Sequence, residues 1–470
     1  MISFLALLAC VHTPEAPVTD LTQPPAVAAV PQFDPPVPTE HALSNGIRVW
    51  VVEKPGLPLV SMRVIVPGGS AHDAPGAWGT SSLADEMLNQ GAGTRDATEF
   101  AREVERLALS LGARTTGSAT IIGLDAQTKT FDAGIDLLTD MVFRPHFHED
   151  DFQRVRDIRL GQLTEANDEA TTVAGWVIER QYFGAEHPFG HPVEGTIASI
   201  NAMKHAAMER SWKERFLGHR GLSIVVAGDV KTSALLSTLE GAFAEWDPTG
   251  AIEPSPIPPP PVHSGSERMF FVHKPGTSQT SLQVMMPAPS GLDELAEAAE
   301  LGAIVLGGTF TSRLNRKLRE EKGYTYGARA SYNGKPAYGT LLARTNVQNE
   351  VAAPALVDLH DLLKAYQDGI DDAELRKAQG AWQTRSVASM ESRSSIAGNY
   401  AALAANGLPA STLADELASA SSATVDAVNT AIQASPMDGA IVVIAGDLDV
   451  IQAAIEDAFP GQGRVVEPTP

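Results

Sequence analysis

The pattern of apolar and polar positions divides each half of the chain into a strand-rich part and a helix-rich part. Residues 47–53 and 59–66 are rich in β-branched residues and predict two strands, with a Lys-Pro-Gly turn between them. Residues 97–111 carry apolar side chains at every third or fourth position, which predicts an amphipathic helix. Strands grouped ahead of helices favour an α+β fold, with a mixed or antiparallel sheet covered by helices on one face.

The same pattern occurs twice along the chain. Residues 61–67 (SMRVIVP) recur as residues 281–287 (SLQVMMP), and a Lys-Pro-Gly turn precedes both copies. Residues 225–230 (VVAGDV) recur as residues 443–448 (VIAGDL). Because the matches keep their order at nearly constant spacing, the sequence predicts two homologous halves, each a copy of one structural unit.

Proline-rich segments without periodicity mark the boundaries of the two copies. Residues 11–37 predict an extended tether, and residues 248–265, which contain a polyproline run, predict a linker. We therefore expect the first domain at residues 38–247 and the second domain at residues 266–466.

The chain of 470 residues is acidic, with 35 Lys and Arg against 57 Asp and Glu and a formal net charge of −22. Nucleic acids bind through positive patches, so this charge argues against nucleic acid as a partner. The chain contains a single cysteine, which excludes an internal disulfide framework and a cysteine-rich zinc site.

That cysteine, Cys10, directly follows the apolar run of residues 1–9. The arrangement resembles a bacterial lipoprotein signal at residues 1–10, in which the cysteine is lipidated and anchors the protein to a membrane. We therefore expect a location in the cell envelope, on the periplasmic side of the inner or outer membrane. The alternative is an ordinary secretory signal with a start further upstream, because no basic residue precedes the apolar run; the protein would then be secreted or periplasmic.

The sequence contains no nucleophile elbow, phosphate-binding loop or dinucleotide fingerprint, which leaves metal sites as the catalytic possibility. His146 and His148 stand beside three carboxylates, a pattern that fits the acidic start of a helix better than a metal site. His187 and His191 have a proline and a glycine between them, which predicts a structured loop instead of a helix that would aim both rings one way.

Residues 306–327, LGGTFTSRLNRKLREEKGYTYG, form the most unusual segment of the second copy. We expect a helix that Gly323 ends, with Arg319 in its last turn and Tyr326 just beyond it on an emerging strand. A guanidinium and a phenol at one edge could both donate hydrogen bonds to a peptide carbonyl or carboxylate. The alternative interpretation is an arginine that complements the helix dipole beside a half-buried tyrosine.

With this segment and its duplicated halves, the chain resembles the pitrilysin/insulinase family of metallopeptidases over about residues 40–465. The resemblance is to the bacterial branch that is similar to the mitochondrial processing peptidase. It implies two α+β domains and, in the first copy, an inverted zinc motif, His-x-x-Glu-His, on a helix. In that motif two imidazoles and a distal Glu bind zinc, and the intervening Glu is the general base.

The chain departs from the motif at each position. Ser82, Asp85 and Glu86 stand where the first His, the Glu and the second His belong, and Gln162 or Leu163 stands at the distal position. Serine and glutamine are poor zinc ligands, so we expect no metal bound by this chain and no autonomous catalysis. Asp85 and Glu86 are then expected to be surface acids of the helix.

The resemblance implies a different role for the second copy. Arg319 and Tyr326 match the family's Arg/Tyr pair, which grips the substrate backbone and helps to stabilise the oxyanion. Gly307 and Gly308 match a glycine-containing loop that contacts substrate in non-catalytic subunits. The chain is thus expected to be the non-catalytic, substrate-binding subunit of a heterodimer, with a peptide substrate and a partner that carries His-x-x-Glu-His and the zinc.

Two alternatives stay open. One is a non-enzymatic scaffold or peptide-binding protein of the cell envelope. The other is an active zinc metallopeptidase whose metal lies at His146 and His148.

Overall fold

The computed structural model describes residues 33–218, 221–247, 257–261 and 268–467. The signal predicted at residues 1–10, with its Cys10, lies outside the described residues, as do most of the tether and most of the linker. From Asp34 onward the chain forms one compact unit.

The strands are β1 (Thr39–Ala42), β2 (Arg48–Glu53), β3 (Leu59–Pro67), β4 (Gly91–Ala92), β5 (Arg95–Asp96), β6 (Ser110–Thr115), β7 (Ala119–Gln127), β8 (Ser223–Gly228), β9 (Arg268–His273), β10 (Gln279–Ala288), β11 (Ala328–Lys335), β12 (Tyr338–Gln348), β13 (Ile441–Gly446) and β14 (Gly463–Val465).

The α-helices are α1 (Thr80–Met87), α2 (Ala97–Arg106), α3 (Phe131–Phe143), α4 (Glu149–Asp168), α5 (Ala170–Phe183), α6 (Ile197–Ala202), α7 (His205–Gly218), α8 (Thr232–Ala242), α9 (Ala296–Ala303), α10 (Ala352–Tyr366), α11 (Asp372–Ala388), α12 (Arg393–Ala405), α13 (Thr412–Ser422), α14 (Val425–Gln433) and α15 (Leu448–Ala458). Two π-helical segments, Ile304–Gly308 and Asn315–Glu321, follow α9. None of the helices in the described ranges is both long and apolar enough to cross a membrane.

Two six-stranded sheets form the centres of the two halves. The first sheet has the order β1-β2-β8-β3-β7-β6, and the second has the order β11-β12-β10-β13-β9-β14. Each sheet is mixed: β8 runs parallel to β2, β13 and β14 run parallel to β9, and the other neighbours are antiparallel. Since β2-β8-β3-β7-β6 and β9-β13-β10-β12-β11 have the same order, the predicted α+β class with two homologous halves is confirmed.

The repeated motifs occupy equivalent places in the two sheets. Lys54 and Lys274 follow β2 and β9, and their backbone N–H groups donate to the carbonyls of Gly228 and Gly446 at 2.7 Å. These two glycines end β8 and β13, at the repeated Ala-Gly-Asp corners. The repeat therefore preserves the residues that join β2 to β8 in the first sheet and β9 to β13 in the second.

The first sheet packs one face against α1, α3, α7 and α8 of its own half, where Met62, Leu83, Leu138, Trp212 and Leu239 belong to one apolar core. The core places α1 directly over β6, with α7 beside it. Helix α1, which carries the positions of the degenerate zinc motif, therefore contacts the sheet on one side and α7 on the other.

Each sheet is covered on its second face by a helix from the other half. Helix α12 packs on β3 and β8, and helix α5 packs on β10 and β13. In β13, Ile441, Val443 and Ala445 pack with α5, and the residues between them face the opposite side because side chains alternate along a strand. Every residue of β8 and β13 is buried, as expected for strands covered on both faces. The sequence predicted helices on one face and did not anticipate this exchanged second layer.

Polar contacts accompany the exchange. The Lys54 Nζ donates to the carbonyls of Met390 and Glu391, at 3.2 Å each, just before α12. The Lys274 Nζ donates to the carbonyl of Asn167, near the end of α4 and just before α5. The two homologous lysines thus make equivalent contacts across the boundary between the halves.

Two local predictions need correction. The helix predicted at residues 97–111 ends at Arg106, because Ala108 adopts a φ of 52° and the chain turns into β6. Tyr326 lies in the turn before β11 and not on the strand, which begins at Ala328.

Candidate functional site

Helix α1 carries the positions of the degenerate zinc motif, and a buried carboxylate fixes its first turn. Asp73 accepts hydrogen bonds from the backbone N–H groups of Gly79 (2.9 Å) and Ser81 (3.0 Å) and from the Ser81 hydroxyl (2.5 Å). Burial raises the pKa of Asp73 to about 6, so the carboxylate is still ionised at neutral pH and favourably meets the helix N-terminus. Gly79 has a φ of 87°, and a Cβ there would lie 2.5 Å from the carbonyl oxygen of Glu194. A glycine is therefore required where this helix begins.

Arg159, on α4, bridges the two motif positions that would hold a metal. Its guanidinium donates to the Ser82 hydroxyl at 3.2 Å and to the Glu194 carbonyl at 2.9 Å, and it forms a close ion pair with the Glu86 carboxylate. Ser82 and Glu86 lie one turn apart on the same face of α1, so one guanidinium reaches both. The Arg159 side chain is 4% exposed. A permanent cation of the protein itself therefore stands where the ligand positions converge.

Asp85, at the general-base position, is buried, so the expectation of a surface acid was wrong for this residue. Its carboxylate accepts hydrogen bonds from the Thr115 and Thr120 hydroxyls, the latter at 3.1 Å, and the Arg215 guanidinium lies 3.8 Å away. Burial raises the pKa of Asp85 to about 6. Helical spacing alone could not reveal that this face of α1 lies between β6 and α7. The Asp85 carboxylate thus joins α1 to the sheet and to α7, while Glu86 is only partly exposed.

These side chains do not fit a zinc ion. Protein zinc sites use at least three nitrogen, sulfur or carboxylate ligands. Ser82 offers a hydroxyl, and the carboxylate of Glu86 is already paired with Arg159. Gln162 lies exposed on α4 and Leu163 is a buried apolar residue, so neither candidate for the distal position supplies a third ligand.

The alternative metal site at His146 and His148 does not gain a third ligand either. Helix α4 begins directly after His148 with three acidic residues in its first turn, which is the predicted helix start. Across the described parts of the chain, one set of three potential ligands lies within reach of a single ion, and it contains neither histidine: His273, Asp447 and Asp449.

His187 and His191 lie in a loop, as predicted, and both are buried. The His187 Nε2 lies 2.9 Å from the carbonyl oxygen of Pro258 in the linker, and the His191 ring stacks on Trp78 with centroids 3.7 Å apart. Burial lowers the pKa of both imidazoles, that of His191 to about 4. These histidines are therefore neutral packing groups at physiological pH.

Arg319 and Tyr326 lie on the surface of the second half. Arg319 belongs to the π-helical segment Asn315–Glu321, and its guanidinium lies 4.0 Å from the centroid of the Phe310 ring, a cation–π contact. Tyr326 is 94% exposed and Phe310 is 63% exposed. Within the described part of the chain, Arg319 forms no ion pair and the Tyr326 hydroxyl makes no hydrogen bond. Both groups are therefore free to bind another molecule.

Gly307 and Gly308 end the π-helical segment Ile304–Gly308 in different surroundings. Gly307 is buried, and a Cβ there would lie 2.0 Å from the backbone nitrogen of Ala330 on β11. Gly308 is exposed, and its added Cβ would meet only the Ile304 side chain, at 3.1 Å. Gly307 is thus required for close packing, while Gly308 is the one of the pair that another molecule can reach.

We expect Gly307→Ala to lower the free energy of unfolding by about 1–3 kcal/mol, because the new methyl group must displace backbone atoms. The matched variant Gly308→Ala should change it by less than about 0.5 kcal/mol. Urea denaturation of both variants measures the difference. Equal stability of the two variants would contradict the packing role of Gly307.

Sequence reasoning missed Arg159, the residue that decides the chemistry of the site. A signal was present in the spacing of α4, because its buried residues follow one helical stripe. The stripe consists of Phe152, Val155, Arg159 and Leu163. An arginine within an apolar stripe predicts a buried cation that needs an anionic partner.

Comparison with known proteins adds two family matches. The model described as "Insulinase (Peptidase family M16)" matches residues 48–189, and the one described as "Peptidase M16 inactive domain" matches residues 210–381. The two matches follow one another along the chain and together cover more than half of it.

Several relatives and solved structures are similar along most of their length. An uncharacterized zinc protease of Mycobacterium tuberculosis is 24% identical over 359 residues, covering 76% of this chain and 81% of the relative. A non-peptidase homolog of Helicobacter pylori is 24% identical over 324 residues, covering 67% and 73%. The crystal structure of a peptidase M16 inactive domain from Pseudomonas fluorescens matches with a TM-score of 0.79 at 23% identity, covering 87% of this chain and 98% of that one. The structural likeness shows that the fold is shared.

Proposed function

Because the chain belongs to the insulinase (M16) peptidase family, we propose that it is the non-catalytic, substrate-binding subunit of a zinc endopeptidase heterodimer. In this proposal a partner subunit carries His-x-x-Glu-His and the zinc, and this chain supplies Arg319 and Tyr326 to the shared peptide site. The zinc in the partner supplies the hydrolytic chemistry.

The observation that carries the non-catalytic part is the Arg159 bridge between Ser82 and Glu86. A guanidinium keeps its charge at all physiological pH values and has no coordination position for water. It cannot lower the pKa of a bound water as a catalytic metal does. Asp85, at the general-base position, accepts hydrogen bonds from the hydroxyls of Thr115 and Thr120, so its carboxylate is already engaged within the protein.

The substrate-binding part is supported by the exposure of Tyr326 and by the half-buried Arg319, which forms no ion pair within the described residues. A guanidinium and a phenol can both donate hydrogen bonds to a peptide carbonyl, and these bonds strengthen as negative charge develops on its oxygen. The exposed Phe310 ring beneath Arg319 limits the orientations of the guanidinium and adds apolar surface for a partner or substrate. These residues would therefore act on a reaction that takes place on the other subunit.

The names of the relatives agree with such a division of roles within the family. The relative in Mycobacterium tuberculosis is named a zinc protease, and the one in Helicobacter pylori is named a non-peptidase homolog. We further propose that the chain works in the cell envelope, anchored through a lipidated Cys10.

Purification of the tagged protein from its own host, followed by mass spectrometry, tests the proposal. We expect one partner at near-equal amount that carries His-x-x-Glu-His, and peptide hydrolysis only when both chains are present. Zinc should amount to about one ion per heterodimer, and the isolated chain should hold well under ~0.1 ion after dialysis. A lone chain or a homodimer without hydrolysis would contradict the proposal and favour a scaffold or peptide-binding protein.

A further inference from the structure

A cavity of about 540 Å³ lies between the two halves, where the ends of β3 and β7 meet the β11–β12 turn and the helices α5 and α12. Its volume is that of a small-molecule site. None of the residues of the Arg159 bridge or of the Arg/Tyr pair lines it. The cavity is therefore separate from the site described above.

One wall of the cavity is aromatic. Phe183, Phe189 and Tyr338 are in mutual contact, with ring centroids 5.7 Å, 5.1 Å and 5.2 Å apart for the three pairs. Phe183 and Phe189 come from the first half and Tyr338 from the second, so the wall exists only because the halves pack together. Such a wall binds apolar side chains.

The cavity also contains a carboxyl group without a partner. Glu179, on α5, lines the cavity, and no hydrogen bond or ion pair among the described residues reaches its carboxyl group. Burial, with a smaller contribution from Glu194, raises the pKa of Glu179 to about 7. Glu179 is half-buried. A carboxyl group that is partly removed from water and has no donor costs free energy, and a bound cation would offset that cost.

An unpaired cation lies on the opposite half. Lys335, the last residue of β11, lines the same cavity, and within the described ranges its Nζ has no hydrogen-bond or ion-pair partner. Burial lowers the pKa of Lys335. Lys335 and Glu179 form no ion pair with one another, and the exposed Arg114 adds a second positive charge to the cavity lining. The cavity thus offers an anion and cations at separate places.

We propose that this cavity binds a short apolar peptide with free termini, its ammonium group at Glu179 and its carboxylate at Lys335. Its apolar side chains pack on Phe183, Phe189 and Tyr338. A zwitterion of this kind satisfies both unpaired charges at once, which a simple amine or a simple carboxylic acid cannot do. The proposal does not depend on a catalytic partner, because every residue that it uses belongs to this chain.

Isothermal titration calorimetry of the purified chain with trileucine, N-acetyl-trileucine and trileucine amide tests the proposal. Trileucine should bind, and either cap should weaken binding about tenfold or more, because each cap removes one ionic contact. The absence of trileucine binding at millimolar concentration would overturn the proposal. Equal affinity for the capped and free peptides would overturn it as well.

Two variants assign the contacts. Glu179→Gln should weaken trileucine binding and remove the effect of the N-terminal cap, while Lys335→Met should remove the effect of the C-terminal cap. Both variants should fold, because each removes a half-buried charge that has no partner among the described residues, and an unchanged melting temperature or a raised one verifies this. Glu103→Gln and Lys213→Met change residues that lie outside the cavity and are paired within their own helices, so both variants should bind as the wild type. Cap effects that persist in the cavity variants would overturn the assignment.

Discussion

We expect Tyr326→Phe to lower the kcat of the assembled peptidase about 100-fold, with a much smaller change in KM. The substitution keeps the ring and removes one hydroxyl, whose hydrogen bond to the peptide carbonyl is strongest when that oxygen carries negative charge. Arg319→Ala should have an effect of at least this size, because it removes a permanent positive charge beside the same carbonyl. Steady-state kinetics of the purified heterodimer on a peptide substrate measure both effects.

The neighbouring tyrosine provides a matched control. Tyr324 lies two residues before Tyr326 and is partly buried, so Tyr324→Phe should leave kcat within about twofold of the wild type. Co-purification of each variant with the partner verifies assembly, since both substituted groups lie on the surface of the second half. Wild-type kinetics for Tyr326→Phe and Arg319→Ala in an intact heterodimer would refute the catalytic contribution of this chain.

Arg159→Met is expected to have the largest effect on stability, about 3 kcal/mol. The variant loses charged hydrogen bonds to the Ser82 hydroxyl and the Glu194 carbonyl, both partly buried, as well as the ion pair with Glu86. Because the Glu86 side chain is 39% exposed, water partly replaces its lost partner, which reduces the cost. Urea denaturation measures the change.

Two further variants distinguish the stability that the contacts of Arg159 contribute from the stability lost when any arginine of this helix is replaced. Arg154→Met removes an exposed arginine from the same helix and should cost less than about 0.5 kcal/mol. Glu86→Gln should cost about 1 kcal/mol, and its effect should largely disappear in the Arg159→Met background, because the two side chains act as one pair. If the two substitutions lowered the free energy of unfolding additively, the Arg159–Glu86 ion pair would make no contribution to stability.

The duplication made much of the fold predictable from the sequence. The runs rich in β-branched residues at 47–53 and 59–66 correspond to β2 and β3, and the repeated Ala-Gly-Asp corners end β8 and β13. Local periodicity is sufficient for such features, because a strand and its corner depend on a few neighbouring residues. The end of α2 was misplaced, since the apolar spacing continued through residue 111 while the backbone had already turned at Ala108.

The sequence by itself determined the two homologous α+β halves and the absence of histidines from the motif positions on α1, because both are properties of local order along the chain. Only the tertiary structure revealed the exchange of α5 and α12 between the sheets, the burial of Asp85, and the approach of Arg159 to Ser82 and Glu86. These features join residues that are distant in sequence, and a distance between two helices is set by the packing of everything between them. The guanidinium at the former metal position is therefore a property of the packed fold. The sequence shows Arg159 within the apolar stripe of α4, but it does not show which residues Arg159 contacts.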